Sequence, residues 1–136
     1  MMAVFCGVAA LVGHVWPVYL DFKGGKGVAT AAGVIFALNW MAGGIVLGVW
    51  LLFFLASRYV SLASVAAAIA LPVAQIFTGK RSWGDHVIPV TIFCFAAALL
   101  VVVRHRENLG RLVRGEEKRF HFRKEVEIPA EGESES

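Results

Sequence analysis

Residues 28–57, VATAAGVIFALNWMAGGIVLGVWLLFFLAS, form a run without a single charge. How often this run crosses a membrane decides the fold. As one helix, at about 1.5 Å per residue, it would be about 45 Å long, whereas a hydrocarbon layer is about 30 Å thick. Asn39 and Gly43-Gly44 lie inside it, and these residue types favour a break or turn. The run therefore reads as a hairpin of one short helix and one full span.

The same pattern extends outward. Uncharged runs also cover 1–20, where His14 is the only titratable imidazole, 59–79 and 87–103. Apolar residues make up 58% of the 136 residues and charged residues 17%, with a mean hydropathy of +0.70. Soluble domains average about 45–50% apolar and about 25% charged. A soluble globular domain, a disordered chain and a secreted disulfide mini-protein are excluded. The predicted class is all-α, a polytopic integral membrane protein of about five transmembrane or half-membrane helices. Its spans fall at about 3–20, within 28–57, at 60–77 with Pro72 as a tolerated kink, and at 87–103. Trp16 and Tyr19 suit the headgroup belt at the end of the first span. A polar loop is predicted from Thr78 to His86.

Charge is concentrated at the C-terminal side. Only Asp21, Lys23, Lys26, Arg58, Lys80, Arg81 and Asp85 are charged before residue 104. Residues 104–124 hold eight basic side chains and three glutamates, and 125–136 hold five glutamates and no base. The first group belongs beside the cytoplasmic leaflet. Residues 1–124 thus read as a helical membrane domain and 125–136 as an acidic, disordered tail. If the loop at 21–27 and the segment 104–124 share the cytoplasmic side, an even number of crossings separates them. That parity requires 28–57 to cross twice. It also leaves Lys80 and Arg81 outside, a minority that a statistical charge rule tolerates. The basic residues lack interleaved aromatics and abut a span, so no nucleic-acid partner is expected. Cys6 and Cys94 form no metal-binding pattern and no disulfide is expected. The first 20 residues lack a basic leader and read as an uncleaved membrane segment.

Three segments could carry chemistry. Phe22-Lys23-Gly24-Gly25-Lys26-Gly27 precedes a helix beginning near Val28. Glycine N–H groups, a helix N-terminus and two lysines together make a phosphate cradle. The spacing is not that of a Walker A loop, and an ordinary positive-inside turn has similar residues. Arg104-His105-Arg106-Glu107-Asn108-Leu109-Gly110-Arg111-Leu112 places His105 and Asn108 on one helix face, with Glu107 and Arg111 spaced for pairing. The bland reading is an amphipathic helix on anionic headgroups. Ser57-Arg58-Tyr59-Val60-Ser61-Leu62-Ala63-Ser64 offers an arginine that can simply snorkel and serines that commonly pack between helices. His14, inside the first span, has equal claims to function and to an interhelical hydrogen bond. Asn39 and Gln75 read as interhelical partners. Asp85, His86 and His121 receive no role.

Gly13-His14, Pro17 and Phe22-Lys23-Gly24-Gly25-Lys26-Gly27-Val28-Ala29-Thr30 resemble the central motif of the bacterial acyl-phosphate:glycerol-3-phosphate acyltransferases, the PlsY family. Arg58-Tyr59-Val60-Ser61-Leu62 resembles its serine-containing segment. Arg104 to Leu112, with Gly115-Glu116, resembles its last motif. The resemblance implies acyl transfer from acyl phosphate to the 1-hydroxyl of glycerol 3-phosphate, giving lysophosphatidic acid in phospholipid biosynthesis. It implies phosphate binding by Lys23, Gly24, Gly25, Lys26 and Gly27, polar site roles for Ser61, His105 and Asn108, and a structural role for Glu116. His14 and Arg58 are further candidates. Direct transfer is favoured over an acyl-enzyme, with His105 or a substrate phosphate oxygen taking the hydroxyl proton. No cofactor or metal is implied. Partners are the two substrates, the lipid bilayer and a functional link to a soluble acyl-phosphate-making enzyme. The expected location is the bacterial inner membrane, multi-pass, with a cytoplasmic C-terminus. The family has seven spans and an N-terminal Gly-Ser-x-Pro segment, neither matched here, so two N-terminal helices are expected to be missing. The competing readings are a non-enzymatic membrane protein, an organic-phosphate transporter, or an inactive truncated remnant.

Overall fold

The structure, a computed structural model, describes residues 2–21, 24–83 and 87–120, with 81–83 described by backbone alone. Expectations placed on Phe22, Lys23, Asp85, His86, His121 and the tail 125–136 lie outside the described residues.

The described elements are α1 (Met2–Val15), a 3-10 turn (Val18–Leu20), α2 (Val28–Leu38), α3 (Trp40–Ser57), α4 (Val60–Trp83), α5 (Val87–Arg104) and α6 (Arg106–Val113). Among the described residues, four stretches are long and apolar enough to cross a membrane: Met2–Leu20, Trp40–Ser57, Val60–Lys80 and Val87–Arg104. The apolar α2 is shorter. These five helices meet the expectation of an all-α, multi-pass membrane protein.

The break in 28–57 sits at Asn39. Its backbone leaves the helical region at φ −150°, ψ 89°. Its N–H closes α2 on the Ile35 carbonyl at 2.7 Å, and its Oδ1 accepts the Ala42 N–H at 3.2 Å to open α3. Its Nδ2 donates to Gln75 Oε1 and Thr78 Oγ1 on α4, both at 2.8 Å. One buried side chain thus caps a helix and bonds its turn to a third helix. Groups freed by a helix break in an apolar layer must find partners of this kind. Gly43 and Gly44 lie inside α3, so the turn needs only Asn39.

Two boundaries differ from the expectation. The first span is helical only to Val15, because Pro17 adopts φ −69°, ψ 121° and biases the preceding residue away from helix. A short 3-10 turn then follows. The segment predicted as a polar loop from Thr78 continues α4 as far as Trp83. Thr78 Oγ1 donates back to the Ala74 carbonyl at 2.7 Å, a bond made within the helix. Lys80 stands near the helix C-terminus, where a cation is favourable. Pro72 lies within α4 without ending it.

Helix α4 is the hub. Over half of its apolar window is buried (56%), against 17% for α1 and α3 and 33% for α5. Ala63, Ala67, Ala68 and Ala74 are among its buried residues, and small side chains let helices approach closely in lipid. Leu51, Leu52 and Leu55 of α3 and Ile92, Phe95 and Leu99 of α5 are exposed on the bundle exterior, as lipid-facing residues should be.

Three separated segments meet at one end of the bundle. Arg104 Nη2 donates to the Val15 carbonyl at 2.8 Å and to the Gly25 carbonyl at 3.4 Å, and its guanidinium lies 5.7 Å from the centroid of the Trp16 ring. The Phe120 N–H donates to the Arg58 carbonyl at 2.9 Å. The chain therefore leaves this end along α2, returns along α3, leaves along α4 and returns along α5, with the 11-residue α2 as the short arm of the hairpin.

Replacing Asn39 with alanine should lower stability by about 1–3 kcal/mol, since the Gln75 amide and the α3 N-terminus lose a buried partner. Thermal unfolding of the detergent-solubilised chain measures this. An unchanged midpoint would show that Asn39 does not hold the turn.

Candidate functional site

At the end where these segments meet, a cavity of about 530 Å³ opens between α2, α3, α4, α5 and α6. Its polar lining comprises Lys26, Ser61, Ser64, His105, Asn108 and Glu117, and its apolar lining continues to Ile35, Phe36 and Leu71. From Ser61 to Leu71 along α4 is about 15 Å at the helical rise. The cavity is thus polar at one end and apolar along its length. Three of the expected site residues, Ser61, His105 and Asn108, are buried and share it with Lys26.

His105 sits where α5 gives way to α6, with φ −98° and ψ 2°. It is 3% exposed. Its Nδ1 lies 2.8 Å from the Val101 carbonyl. A carbonyl only accepts, so Nδ1 carries the proton and the Nε2 lone pair is left for other work. Burial pushes the imidazole below the ordinary histidine range, and the charge of Lys26 adds to this. The hydrogen bond to Val101 and the charge of Glu117 act in the opposite direction without reversing it. A neutral imidazole is what a proton acceptor requires.

Asn108 joins two charges. Its Oδ1 accepts from the Lys26 ammonium, and its Nδ2 donates to Glu117 Oε1 at 2.8 Å. Arg111 Nε reaches the other carboxylate oxygen, Oε2, at 3.1 Å. The bond from Asn108 is the main reason the Glu117 carboxyl lies below its ordinary range. Desolvation opposes it, while Arg111 and the nearby Ser61 hydroxyl assist. Among the described residues, no hydrogen bond of normal geometry reaches the buried Ser61 Oγ, so Ser61 is close to Glu117 but not bonded to it. Ser64, one turn on, accepts from Trp50 Nε1 at 3.2 Å.

Sequence spacing does not single out Glu117. Helical spacing pointed Arg111 to Glu107, yet Arg111 pairs with Glu117. Gly115 takes φ +72°, a conformation that costs glycine little. The Glu116 N–H bonds back to the Arg111 carbonyl at 2.8 Å, and this reversal at the end of α6 turns Glu117 toward Asn108. Glu116 itself is exposed and pairs with Arg114 at 2.8 Å.

The glycine loop packs against the end of α1. A Cβ on Gly25 would collide with His14 Nε2, and one on Gly24 would collide with the His14 carbonyl. At Gly24 the loop thus needs glycine for its own seat on α1, whereas at Gly25 the obstacle is the tip of an exposed side chain that can turn aside. Gly27 is the N-cap of α2. His14 is exposed on α1 and lies against Gly25. Neither His14 nor Arg58 lines the cavity. Arg58 caps α3 with φ 60°, and its carbonyl holds Phe120. Lys23 lies outside the described residues.

The chain is similar to known proteins. The family model described as glycerol-3-phosphate acyltransferase matches residues 1–115. The chain is 45% identical over 119 residues to a glycerol-3-phosphate acyltransferase of Prochlorococcus marinus, covering 88% of this chain and 57% of that protein. It is 46% identical over 123 residues to one from Endomicrobium trichonymphae, covering 90% and 59%. Crystal structures of PlsY (YgiH), an integral membrane glycerol 3-phosphate acyltransferase, align with a TM-score of 0.75 and 42% identity. Its glycerol 3-phosphate form is matched over 87% of this chain and 56% of that one, and its lysophosphatidic acid form over 87% and 57%. The chain therefore spans little more than half the length of these relatives. By its motifs, its fold and these matches, the chain belongs to the glycerol-3-phosphate acyltransferase family.

Proposed function

We propose that the cavity is the site of an acyl-phosphate-dependent glycerol-3-phosphate acyltransferase. The observation that carries this reading is the cavity's two-part character. Lys26, Ser61, His105 and Asn108 line one end, and an apolar channel of about 15 Å leads away from it. An acyl phosphate has the same division into anionic head and apolar chain. The solved relative's forms with glycerol 3-phosphate and with lysophosphatidic acid support the same chemistry.

In this reading Lys26, with Lys23 and the backbone of Gly24, Gly25 and Gly27, binds phosphate. The 1-hydroxyl oxygen of glycerol 3-phosphate attacks the acyl carbonyl carbon. The carbon–oxygen bond to phosphate breaks, and its electrons leave with the phosphate. The hydroxyl proton passes to Nε2 of His105, the nitrogen left free by the Val101 bond. Asn108 and Ser61 orient the reacting groups, and His14 supports the glycine loop. Because acyl phosphate is already activated, most of the rate enhancement comes from positioning and charge stabilisation. Arg58 and Glu116 act structurally, at the α3–α4 junction and at the turn after α6. The protein lies in the bacterial inner membrane, with the site and the C-terminus cytoplasmic. There it receives acyl phosphate from a soluble acyl-phosphate-making enzyme.

Membranes carrying the protein should form lysophosphatidic acid only when given both acyl phosphate and glycerol 3-phosphate, measured by mass spectrometry. Accumulation of glycerol 3-phosphate in sealed vesicles without acyl donor, and no product, would instead support a transporter. Gly24→Val should abolish product formation, because its side chain would collide with the His14 and Val15 carbonyls and unseat the loop. His105→Ala should reduce kcat/KM by about 100- to 10,000-fold.

The pH profile tests His105 separately. A base works when deprotonated, so the rate rises with pH through its pKa and then levels. As burial lowers that pKa, the acidic limb should lie below the ordinary histidine value of about 6.5. An acidic limb centred well above that value would exclude His105 as the base.

A further inference from the structure

We infer that Glu117 is a positioning residue, which sets the orientation of the Asn108 amide and through it holds the Lys26 ammonium at the cavity. An asparagine side chain has a donor end and an acceptor end of nearly equal shape, so its neighbours decide which way it points. Here they leave one choice. The Glu117 carboxylate accepts from Asn108 Nδ2, and the ammonium of Lys26 donates to Asn108 Oδ1. Turning the amide over would set N–H groups against an ammonium and a carbonyl against a carboxylate. Both contacts would repel. Without the carboxylate, one of these two constraints disappears.

Glu117 is itself held firmly. Arg111 occupies its second oxygen, and the side chain is 11% exposed. The chain beyond it is fastened to the α3–α4 junction. Arg119 Nε donates to the Tyr59 hydroxyl at 3.2 Å, and the Phe120 ring meets Phe54 edge-on at 5.5 Å. A fixed carboxylate can orient an amide, whereas a mobile one could not. The Lys26 ammonium gives one of its three N–H donors to Asn108 and keeps the others for a ligand.

The decisive measurement is the rate at which Lys26 is acetylated by acetic anhydride in the detergent-solubilised chain, read by peptide mass spectrometry. It requires no enzymatic activity. Glu117→Gln and Asn108→Ala should each raise the rate at least threefold, and the double variant should not exceed Asn108→Ala. Glu116→Gln should leave the rate unchanged, since Glu116 pairs with Arg114 instead. Arg111→Gln releases the second oxygen of Glu117 and so loosens the carboxylate that orients Asn108; it should give a smaller rise and serves if Glu117→Gln fails to fold. An unchanged rate in Glu117→Gln, or fully additive effects in the double variant, would overturn the inference. So would an unchanged rate in Arg111→Gln.

A kinetic arm rests on the proposed acyl transfer. There Glu117→Gln should lower kcat/KM about tenfold or more through misplacement of Asn108 and Lys26, and adding it to Asn108→Ala should cost nothing further. Absence of product from the unaltered protein would count against the proposed function, while the acetylation rates would still decide the role of Glu117.

Discussion

A single buried side chain lets this chain turn round inside an apolar bundle. Asn39 ends α2, begins α3 and bonds both to α4. A helix break within a membrane leaves N–H and carbonyl groups that lipid cannot satisfy, and Asn39 supplies partners from its own amide and from α4. Because the chain turns there, Lys26 at the start of α2 and Ser61 at the start of α4 line the same cavity. Helix α5 then returns His105 and Asn108 to it. With a single crossing at 28–57, Lys26 and Ser61 would stand on opposite faces of the membrane.

The site is assembled by backbone contacts as much as by side chains. Arg104 grips the last carbonyl of α1 and a carbonyl of the glycine loop, which ties the loop to the residue next to His105. Glycine at 24 lets the loop lie against the His14 and Val15 carbonyls. Gly115 reverses the chain so that a carboxylate faces Asn108. The outcome is a mixed-charge cluster, with Lys26, Asn108, Glu117 and Arg111 alternating in sign or polarity, above an apolar channel. Such a cluster keeps an ammonium in place without neutralising it by direct contact with a carboxylate.

Much of this was legible in the sequence, and the reasons differ from residue to residue. The hairpin followed from comparing the length of 28–57 with the thickness of a bilayer, a comparison that needs no tertiary information. Asn39 and Gln75 were legible as partners because polar groups in an apolar helix must bond to something. The far end of α4 was misjudged because hydropathy marks where apolar surface stops, not where helical hydrogen bonding stops. Glu117 was missed because helical spacing directs Arg111 to Glu107, while the reversal at Gly115 follows from one backbone angle. Arg104 is legible only as part of a motif, since its partners are carbonyls that no residue type reveals. The two-part cavity is a property of five helices together, and no local pattern encodes it.

If residues 28–57 turn back at Asn39 and gather three segments on one side, Lys26, Arg58 and Arg106 face one side of the membrane and Lys80 the other. The single-cysteine variants Lys26→Cys, Arg58→Cys, Arg106→Cys and Lys80→Cys, each made in a chain whose Cys6 and Cys94 are replaced by alanine, can be labelled in sealed vesicles by a reagent that cannot cross the membrane. The account predicts that the cysteines at 26, 58 and 106 react from one side and the cysteine at 80 from the other. Labelling at 26 and 58 from opposite sides would contradict it.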